Sequence, residues 1–272
     1  MRGKRSRREI VADETPPRFS SGPRPLARAQ RLVVVDSIVA RLLEAHRDHV
    51  VAIGLYGSTG RGADGSYSDI EMFCVIDQPG EDRRYEWIHG DGKAEVELFG
   101  EDVIRRKAAA VDEGWSVTHA EFAYPHRLRG NERFFNELRD LVFAHPDETF
   151  AEVERAIIVD ELYEGIGKVR NAVATSDFDK LPSRACRIAL MSALLLGLAR
   201  RKIYTAAGLD LVESMRLDGR PDGHDELCRM VMSGDLADSK RLALTLEHHW
   251  RGVVEWIDRE GLDMSPSLKW PF

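Results

Sequence analysis

A glycine-rich turn followed by two carboxylates gives this sequence its clearest chemical signal. The turn is Gly57-Ser58-Thr59-Gly60-Arg61, and ten residues separate Ser58 from Asp69. Its glycines let the backbone approach a phosphate, while Ser58 and Arg61 offer a hydroxyl and a charged fork for phosphate oxygens. Asp69 and Glu71 are two apart on a predicted strand, so they share one face, and two such oxygen ligands suit Mg²⁺. The pattern therefore predicts a site for a nucleoside triphosphate and its metal.

Predicted strands position these groups. One strand covers residues 50–56 before the turn, and a second covers residues 68–76 and starts at the carboxylates. Beyond Glu71 the second strand is mostly apolar on both faces, which indicates a central strand covered on both sides. Gly90-Asp91-Gly92 is a tight turn that joins predicted strands 83–90 and 93–99 into a hairpin.

The hairpin supplies a third candidate carboxylate. Lys93, Glu95 and Glu97 share one face of its second strand. Taken alone, a strand face with three charges is equally typical of a solvent-exposed face. If its strand is a neighbour of the strand that carries Asp69 and Glu71, Glu95 would enter the coordination shell of the same metal. Three carboxylates around one or two Mg²⁺ ions would then favour phosphoryl or nucleotidyl transfer.

The remaining pattern predicts an α+β protein, in which a mixed-sheet domain with helices precedes a helical bundle. Residues 1–23 are polar and Pro-containing and are predicted to be disordered. Residues 24–145 form the sheet domain, and 146–272 form the helical domain, with His145-Pro146 at the boundary. Helices are predicted over residues 25–49, 101–113, 131–143, 147–174, 183–201, 206–217, 222–232 and 235–259, with 114–130 irregular.

Charge narrows the classes of partner. The 272 residues carry a net charge of -7, and residues 1–30 hold eight Lys or Arg against three acids, or +5, which leaves -12 on the remainder. An acidic body favours a polycation over nucleic acid as partner. The basic tail is read either as a nucleic-acid arm or as a solvated, mobile segment.

No apolar run approaches the ~20 residues that a membrane span needs, and no secretory signal is visible. The cysteines, Cys74, Cys186 and Cys228, lack metal-ligand spacing and are predicted to be reduced core or near-core residues. The sequence thus predicts a cytoplasmic protein without a membrane partner.

The motifs also resemble those of the kanamycin nucleotidyltransferase family, within the polymerase-beta-type nucleotidyltransferase superfamily. The similar segments occur in the same order from about residue 30 to Pro271-Phe272, and they are Val51–Ser58, Tyr67–Met72, Glu86-Trp87, Trp115–His119, Asp160–Lys168 and Val231–Gly234. The resemblance implies transfer of a nucleoside monophosphate from ATP, or another NTP, to the 4′-hydroxyl of kanamycin-like aminoglycosides, with release of pyrophosphate. It also implies a homodimer with antibiotic sites at the subunit cleft.

On the donor side, the resemblance implies that Asp69 and Glu71 bind Mg²⁺, with Glu95 as the third acidic residue. It further implies that Ser58 and Arg61, beside Gly57, hold the β- and γ-phosphates.

On the acceptor side, the resemblance implies that Glu164 is the general base and that Lys168 contacts the α-phosphate. The carboxylates implied to bind the aminoglycoside are Glu86, Glu95, Glu113 and Glu161. Spacing alone leaves an alternative, because Glu164 and Lys168 also form an ordinary i,i+4 surface pair. Gly165 and Gly167 count against it, since glycines inside a surface helix are costly and indicate close approach of another group.

Two other classes of function stay open. One is a template-independent nucleotidyltransferase that acts on RNA or protein, which would present a basic groove outside the tail. The other is a non-catalytic nucleotide-binding module, which is expected to lose one of the carboxylates, whereas all are present.

Overall fold

A computed structural model describes residues 22–206 and 208–265. Residues 1–21 of the predicted tail and the C-terminal Pro271-Phe272 lie outside the described residues. Contacts divide the chain into two compact units. The sheet unit comprises the described residues up to Lys107 and Glu121–Arg139, and the helical unit comprises Ala108–Ala120 and the chain from Asp140 onwards. The predicted domains 24–145 and 146–272 stay a prediction.

Five strands and twelve α-helices make up the described part of the chain. The first half contains α1 (Arg28–His46), a 3₁₀ turn (Arg47–His49), β1 (Val50–Leu55), α2 (Gly57–Gly60), β2 (Ile70–Ile76), β3 (Asp82–His89), β4 (Gly92–Gly100), α3 (Glu101–Ala108), α4 (Trp115–Thr118), α5 (Ala120–Ala123) and β5 (His126–Arg129). The second half contains α6 (Glu132–Phe143), α7 (Asp147–Ala156), a π-helix (Ile157–Tyr163), α8 (Glu164–Thr175), α9 (Leu181–Ala199), α10 (Asp210–Ser214), α11 (His224–Ser233) and α12 (Ser239–Glu260). The predicted α+β class is confirmed.

The sheet has the strand order β3-β4-β2-β1-β5. Strand β2 pairs antiparallel with β1 and parallel with β4, and Met72 to Val75 are fully buried. The predicted central strand is therefore confirmed. The segment 114–130 was expected to be irregular, but His126–Arg129 pairs with β1 as an edge strand. Its sequence shows no apolar alternation that would predict a strand. The pairing with β1, and not local propensity, makes it one.

Helix α1 covers one face of this sheet. Val35, Ile38 and Leu42 join a buried cluster with Met72 of β2 and Val96 of β4. Since successive side chains of a strand point to opposite faces, the odd-numbered residues of β2 and β4 point away from α1. The acidic residues of both strands therefore lie on the face opposite α1.

The helical unit contains one helix that is almost wholly apolar. By length and composition α9 is long and apolar enough to cross a membrane, but most of it is buried inside this unit. A core helix of a globular bundle has the same character. Cys74 and Cys228 are buried as predicted, but the prediction was wrong for Cys186, which lies on the exposed side of α9.

Some predicted helices differ from the observed ones in extent. Helix α3 ends at Ala108, five residues before the predicted end, and α10 is a short helix within the predicted span 206–217. The predicted helix 147–174 is continuous, but its centre is π-helical from Ile157 to Tyr163. Such widened turns are uncommon and frequently occur at functional sites.

Two histidines are buried in the core of the helical unit. His224 is fully buried, with Ser192 Oγ 3.0 Å from its Nδ1 and Ser214 Oγ 2.9 Å from its Nε2. His249 is also buried, with its ring centroid 5.9 Å from that of His224. Burial lowers the pKa of His224 to about 4 and that of His249 to about 3, from an ordinary value of 6.5. Both rings are therefore neutral in the folded protein near neutral pH.

These histidines make the protein sensitive to acid. Below pH 6.5 the unfolded chain binds protons that the folded chain does not, so the free energy of unfolding falls by up to ~1.4 kcal/mol per pH unit for each histidine. We expect urea unfolding between pH 6.5 and 5 to show this slope, and His224→Gln to reduce it. The exposed His248→Gln is the control, and an unchanged slope in His224→Gln would contradict the assignment.

Candidate active site

The glycine-rich turn is packed directly against the start of β2. Gly57 has a φ of 63°, and a Cβ there would overlap the carboxylate of Glu71. The backbone N–H of Tyr56 donates to the carbonyl of Glu71 at 2.9 Å, and Thr59 Oγ1 donates to the carbonyl of Asp69 at 2.8 Å. Only glycine meets both the conformation and the space at position 57. The turn is thus hydrogen-bonded to the backbone that carries the two carboxylates, and Ser58 within it is half-buried.

A buried arginine fixes the loop between the turn and Asp69. Arg31 of α1 is 1% exposed and forms an ion pair with the equally buried carboxylate of Asp64. It also donates to the carbonyls of Gly65 and Ser68, each at 3.0 Å. A buried charge is stable only when it is paired and fully hydrogen-bonded, as it is here. The sequence prediction missed this residue, and its only signal was an arginine in line with the apolar positions of α1.

The acidic residues of three strands lie side by side. Glu71 pairs with Glu95 across β2 and β4, and Glu86 pairs with Glu95 across β3 and β4. The Glu95 side chain is 6% exposed, so the alternative of a solvent-exposed strand face does not hold for it. Its Oε2 accepts from Arg84 Nη2 at 2.8 Å and from Lys93 Nζ at 3.3 Å. Lys93 also lies 2.8 Å from Glu86 Oε1, so two cations hold this row of carboxylates together.

Within the row formed by Glu71, Glu95 and Glu86, the side chain of Glu71 has a strongly shifted pKa. Burial, followed by the charges of Asp69 and Glu95, raises the pKa of Glu71 from 4.5 to about 7. Lys93 and the exposed Arg61 lie within electrostatic range and act in the opposite direction. Burial first, and then repulsion, therefore disfavour the charged form of Glu71 in the absence of a bound cation.

The carboxylates at this site suit a divalent cation. Coordination of one metal by all three of Asp69, Glu71 and Glu95 stays a prediction. Within residues 22–206 and 208–265, no three His, Cys, Asp or Glu side chains are grouped closely enough to hold a metal ion. Asp69, with 35% of its side chain exposed, and Glu71 offer hard oxygen ligands. A cation bound by both carboxylates would favour the charged form of Glu71 against the burial and repulsion that raise its pKa. Because Glu95 is occupied by Arg84 and Lys93, the arrangement favours two carboxylate ligands over three.

A further carboxylate lies beside this row. Glu121 of α5 has a raised pKa because it is buried and close to Glu97. The Tyr56 hydroxyl is 3.2 Å from Glu97 Oε2 and 3.4 Å from Glu95 Oε1, and burial among carboxylates raises its pKa as well. The sequence prediction missed Glu121, because only the fold brings residue 121 back to β4.

The helical unit holds the predicted base and its partner. Glu164 and Lys168 form an ion pair on the first turns of α8, with more than 40% of each side chain exposed. A Cβ at Gly165 would lie 3.1 Å from Ile188 Cγ1, so the predicted close approach is confirmed there. At Gly167 a Cβ would meet nothing within 4 Å in the described part of the chain, so close approach of another group there stays a prediction. Helix α9 therefore fixes the position of the helix backbone next to Glu164.

The two remaining predicted acceptor ligands also belong to the helical unit. Glu161, in the π-helix, accepts from Arg187 Nε at 2.8 Å and from its Nη2, and this contact lowers the pKa of Glu161. Glu113 is exposed just before α4 and lies within electrostatic range of Arg187. The sequence prediction did not consider Arg187.

Known proteins of similar sequence and fold show which family the chain belongs to. Residues 132–263 match the KNTase C-terminal domain. The chain is 36% identical over 252 residues to an aminoglycoside nucleotidyltransferase (4′) from Staphylococcus aureus, covering 93% of this chain and 100% of the relative. It is 35% identical, with the same coverage, to an aminoglycoside nucleotidyltransferase (4′) from a Bacillus species.

The fold is also similar to that of a solved structure. A nucleotidyltransferase-like protein from Exiguobacterium sibiricum superposes with a TM-score of 0.50 at 12% identity, over 90% of this chain and 82% of that protein. This structural similarity shows the fold alone. The sequence similarity to the two full-length relatives confirms the family that the motifs resemble. The chain therefore belongs to the aminoglycoside nucleotidyltransferase (4′), or kanamycin nucleotidyltransferase, family.

Proposed function

We propose that this protein transfers the nucleoside monophosphate of ATP, or of another NTP, to the 4′-hydroxyl of kanamycin-like aminoglycosides and so confers resistance to them. The observation that carries the proposal is the row of carboxylates beside the Gly57 turn, in a chain that matches two named relatives over their whole length. The acidic character of residues 31–272 supports it, because aminoglycosides are polycations.

On the donor side, Asp69 and Glu71 would hold Mg²⁺, with Glu95 next to them in the row. When bound there, Mg²⁺ would neutralise triphosphate oxygens and the charge that develops on the pyrophosphate leaving group. Ser58 and Arg61 would hold the β- and γ-phosphates through a hydroxyl and a guanidinium. The rigidity that Arg31 and Thr59 give to this loop keeps the phosphate groups aligned with the carboxylates.

On the acceptor side, Glu164 would accept the proton of the attacking hydroxyl. The hydroxyl oxygen forms a bond to the α-phosphorus while the bond from that phosphorus to pyrophosphate breaks. Lys168 would offset the charge of the α-phosphate in the transition state. The ammonium groups of the antibiotic would bind carboxylates, for which the candidates are Glu86, Glu95, Glu113 and Glu161.

Two further parts of the proposal concern the setting of the enzyme. The homodimer with shared sites rests on the resemblance to the family. A cytoplasmic location is supported by the free thiols of the described cysteines, which are typical of a reducing compartment.

A single assay separates this proposal from its alternatives. We expect pyrophosphate release from ATP and Mg²⁺ when kanamycin is the acceptor, and none with tRNA or without acceptor. Release that only tRNA supports would favour an RNA-directed nucleotidyltransferase, and no release with any acceptor would favour a non-catalytic module. Mass spectrometry of the antibiotic product identifies the modified hydroxyl.

A further inference from the structure

Arg187 on α9 makes a two-point contact with one of the predicted acceptor carboxylates. Its guanidinium donates to both oxygens of Glu161, from Nε to Oε2 at 2.8 Å and from Nη2 to Oε1. This two-point contact is the strongest geometry available to an arginine and a carboxylate. Glu161 is therefore already occupied by a cation of the protein itself.

Arg187 belongs to a larger group of charges on the helical unit. Glu113 lies within electrostatic range of Arg187, and Lys168 lies within range of Glu161. Lys168 in turn is paired with Glu164. These five residues are named the acceptor cluster, and in it Arg187 contacts Glu161 and lies within electrostatic range of Glu113.

The backbone beneath Arg187 is packed against α8, while its side chain reaches solvent. Ile188, the next residue, packs against Gly165, where an added Cβ would lie 3.1 Å from it. The Arg187 side chain is 48% exposed and that of Glu161 is 25% exposed. Because both side chains reach solvent, the pair contributes on the order of 1 kcal/mol, the upper end of the range for exposed pairs, since its contact is made at two points. Another cation can therefore replace the guanidinium at a cost of about that size.

We propose that Arg187 determines acceptor specificity by occupying the position on Glu161 that an ammonium group of the acceptor takes. This inference rests on the proposed function. A cationic acceptor must displace the guanidinium from Glu161, and once displaced the guanidinium repels further ammonium groups nearby. Arg187 therefore weakens the binding of acceptors with many ammonium groups more than that of acceptors with few.

The test compares Arg187→Gln with the wild-type enzyme on aminoglycosides that carry different numbers of ammonium groups. We expect KM for the acceptor to fall about two- to fivefold at low salt, which is the range of an exposed ion pair. The decrease should be largest for the acceptor with most ammonium groups and should diminish in high salt, while kcat stays unchanged. Arg187→Lys retains the positive charge, so its KM should lie close to that of the wild-type enzyme.

A matched control exists on the same unit. Arg170 of α8 forms a two-point contact with Glu247 at 2.8 and 2.9 Å, with exposure similar to that of the Arg187 pair. Arg170→Gln removes the same type of contact outside the acceptor cluster and should leave KM and kcat unchanged.

Several results would overturn the inference. An unchanged or higher KM in Arg187→Gln rules out competition for Glu161. A lower kcat with an unchanged KM shows that Arg187 instead positions the π-helix. If the wild-type enzyme modifies no aminoglycoside, the proposed function itself fails, so the two failures are distinguishable.

Discussion

Asp69→Asn is expected to lower pyrophosphate release by roughly a thousandfold or more, because ~4 kcal/mol of charge stabilisation would be lost with the metal ligand. The amide keeps the shape of the side chain but removes the charge that binds a hard cation. Steady-state pyrophosphate release from ATP with kanamycin measures the loss. Binding of Mn²⁺ together with a non-hydrolysable ATP analogue, measured by calorimetry, should weaken in parallel.

The same substitution is expected to leave the fold intact and to relieve repulsion at Glu71. Burial and neighbouring carboxylates raise the pKa of Glu71 to about 7, so ionising it costs stability as the pH rises from 4.5 through 7. Removing the charge of Asp69 reduces this cost, and we expect the melting temperature at pH 8 to be unchanged or higher. Loss of activity therefore cannot be attributed to unfolding.

A control from the other end of the same strand sharpens this result. Asp77 directly follows β2, and its carboxylate lies 2.8 Å from His49 Nδ1 at the exposed end of the sheet. Asp77→Asn should keep wild-type turnover. Pyrophosphate release within tenfold of wild type in Asp69→Asn would exclude Asp69 as a metal ligand.

The donor half of the candidate site was predictable because its signals are local. The turn and the carboxylates lie close together in sequence, and the alternation of β2 shows which residues share a face. The hairpin turn then fixes the pairing of β3 with β4, so Glu86 and Glu95 become neighbours. These steps depend on short spacings, which sequence patterns report well, whereas the pairing of Glu71 with Glu95 depends on the parallel contact between β2 and β4.

What the sequence did not predict depends on contacts between distant residues. Arg31 binds the loop at Gly65 and Ser68, more than thirty residues away, and nothing in its own segment indicates that partner. Glu121 joins the carboxylates only because the chain returns to the sheet unit after Ala120. Arg187 is twenty-six residues from Glu161 and meets it only through the packing of α9.

In the acceptor half, local sequence features of α8 do not show which residues pack against other helices. Both glycines in α8 are predicted to allow close approach of another group. Gly165 meets Ile188 of another helix, whereas no atom of the described residues lies within 4 Å of a Cβ at Gly167. A glycine in a helix reports that a side chain is absent and does not report which face is packed. The π-helix before Glu164 likewise has no local signal, since a run such as Ile157-Ile158-Val159 also occurs in ordinary α-helices.

Glu164→Gln is expected to lower kcat by about 10²–10⁴-fold with little change in KM, as is typical when a general base is removed. The substitution also breaks the ion pair with Lys168, but that exposed i,i+4 pair contributes only ~0.3–0.5 kcal/mol to stability. Glu247→Gln, which breaks the exposed pair with Arg170 in the same unit, is the control and should retain wild-type kcat. A kcat within twofold of wild type in Glu164→Gln would assign Glu164 to a surface pair.

Mixing the two inactive variants tests the proposed homodimer. If the donor groups of one chain act with the acceptor groups of its partner, a mixed dimer of Asp69→Asn and Glu164→Gln contains one site with both groups intact. After random exchange of subunits, about a quarter of all sites would then be active. If donor and acceptor groups of the same chain act together, every site keeps one defect and no activity returns. Recovery of activity on mixing would therefore establish both the dimer and the sharing of its sites, from variants that are each inactive alone.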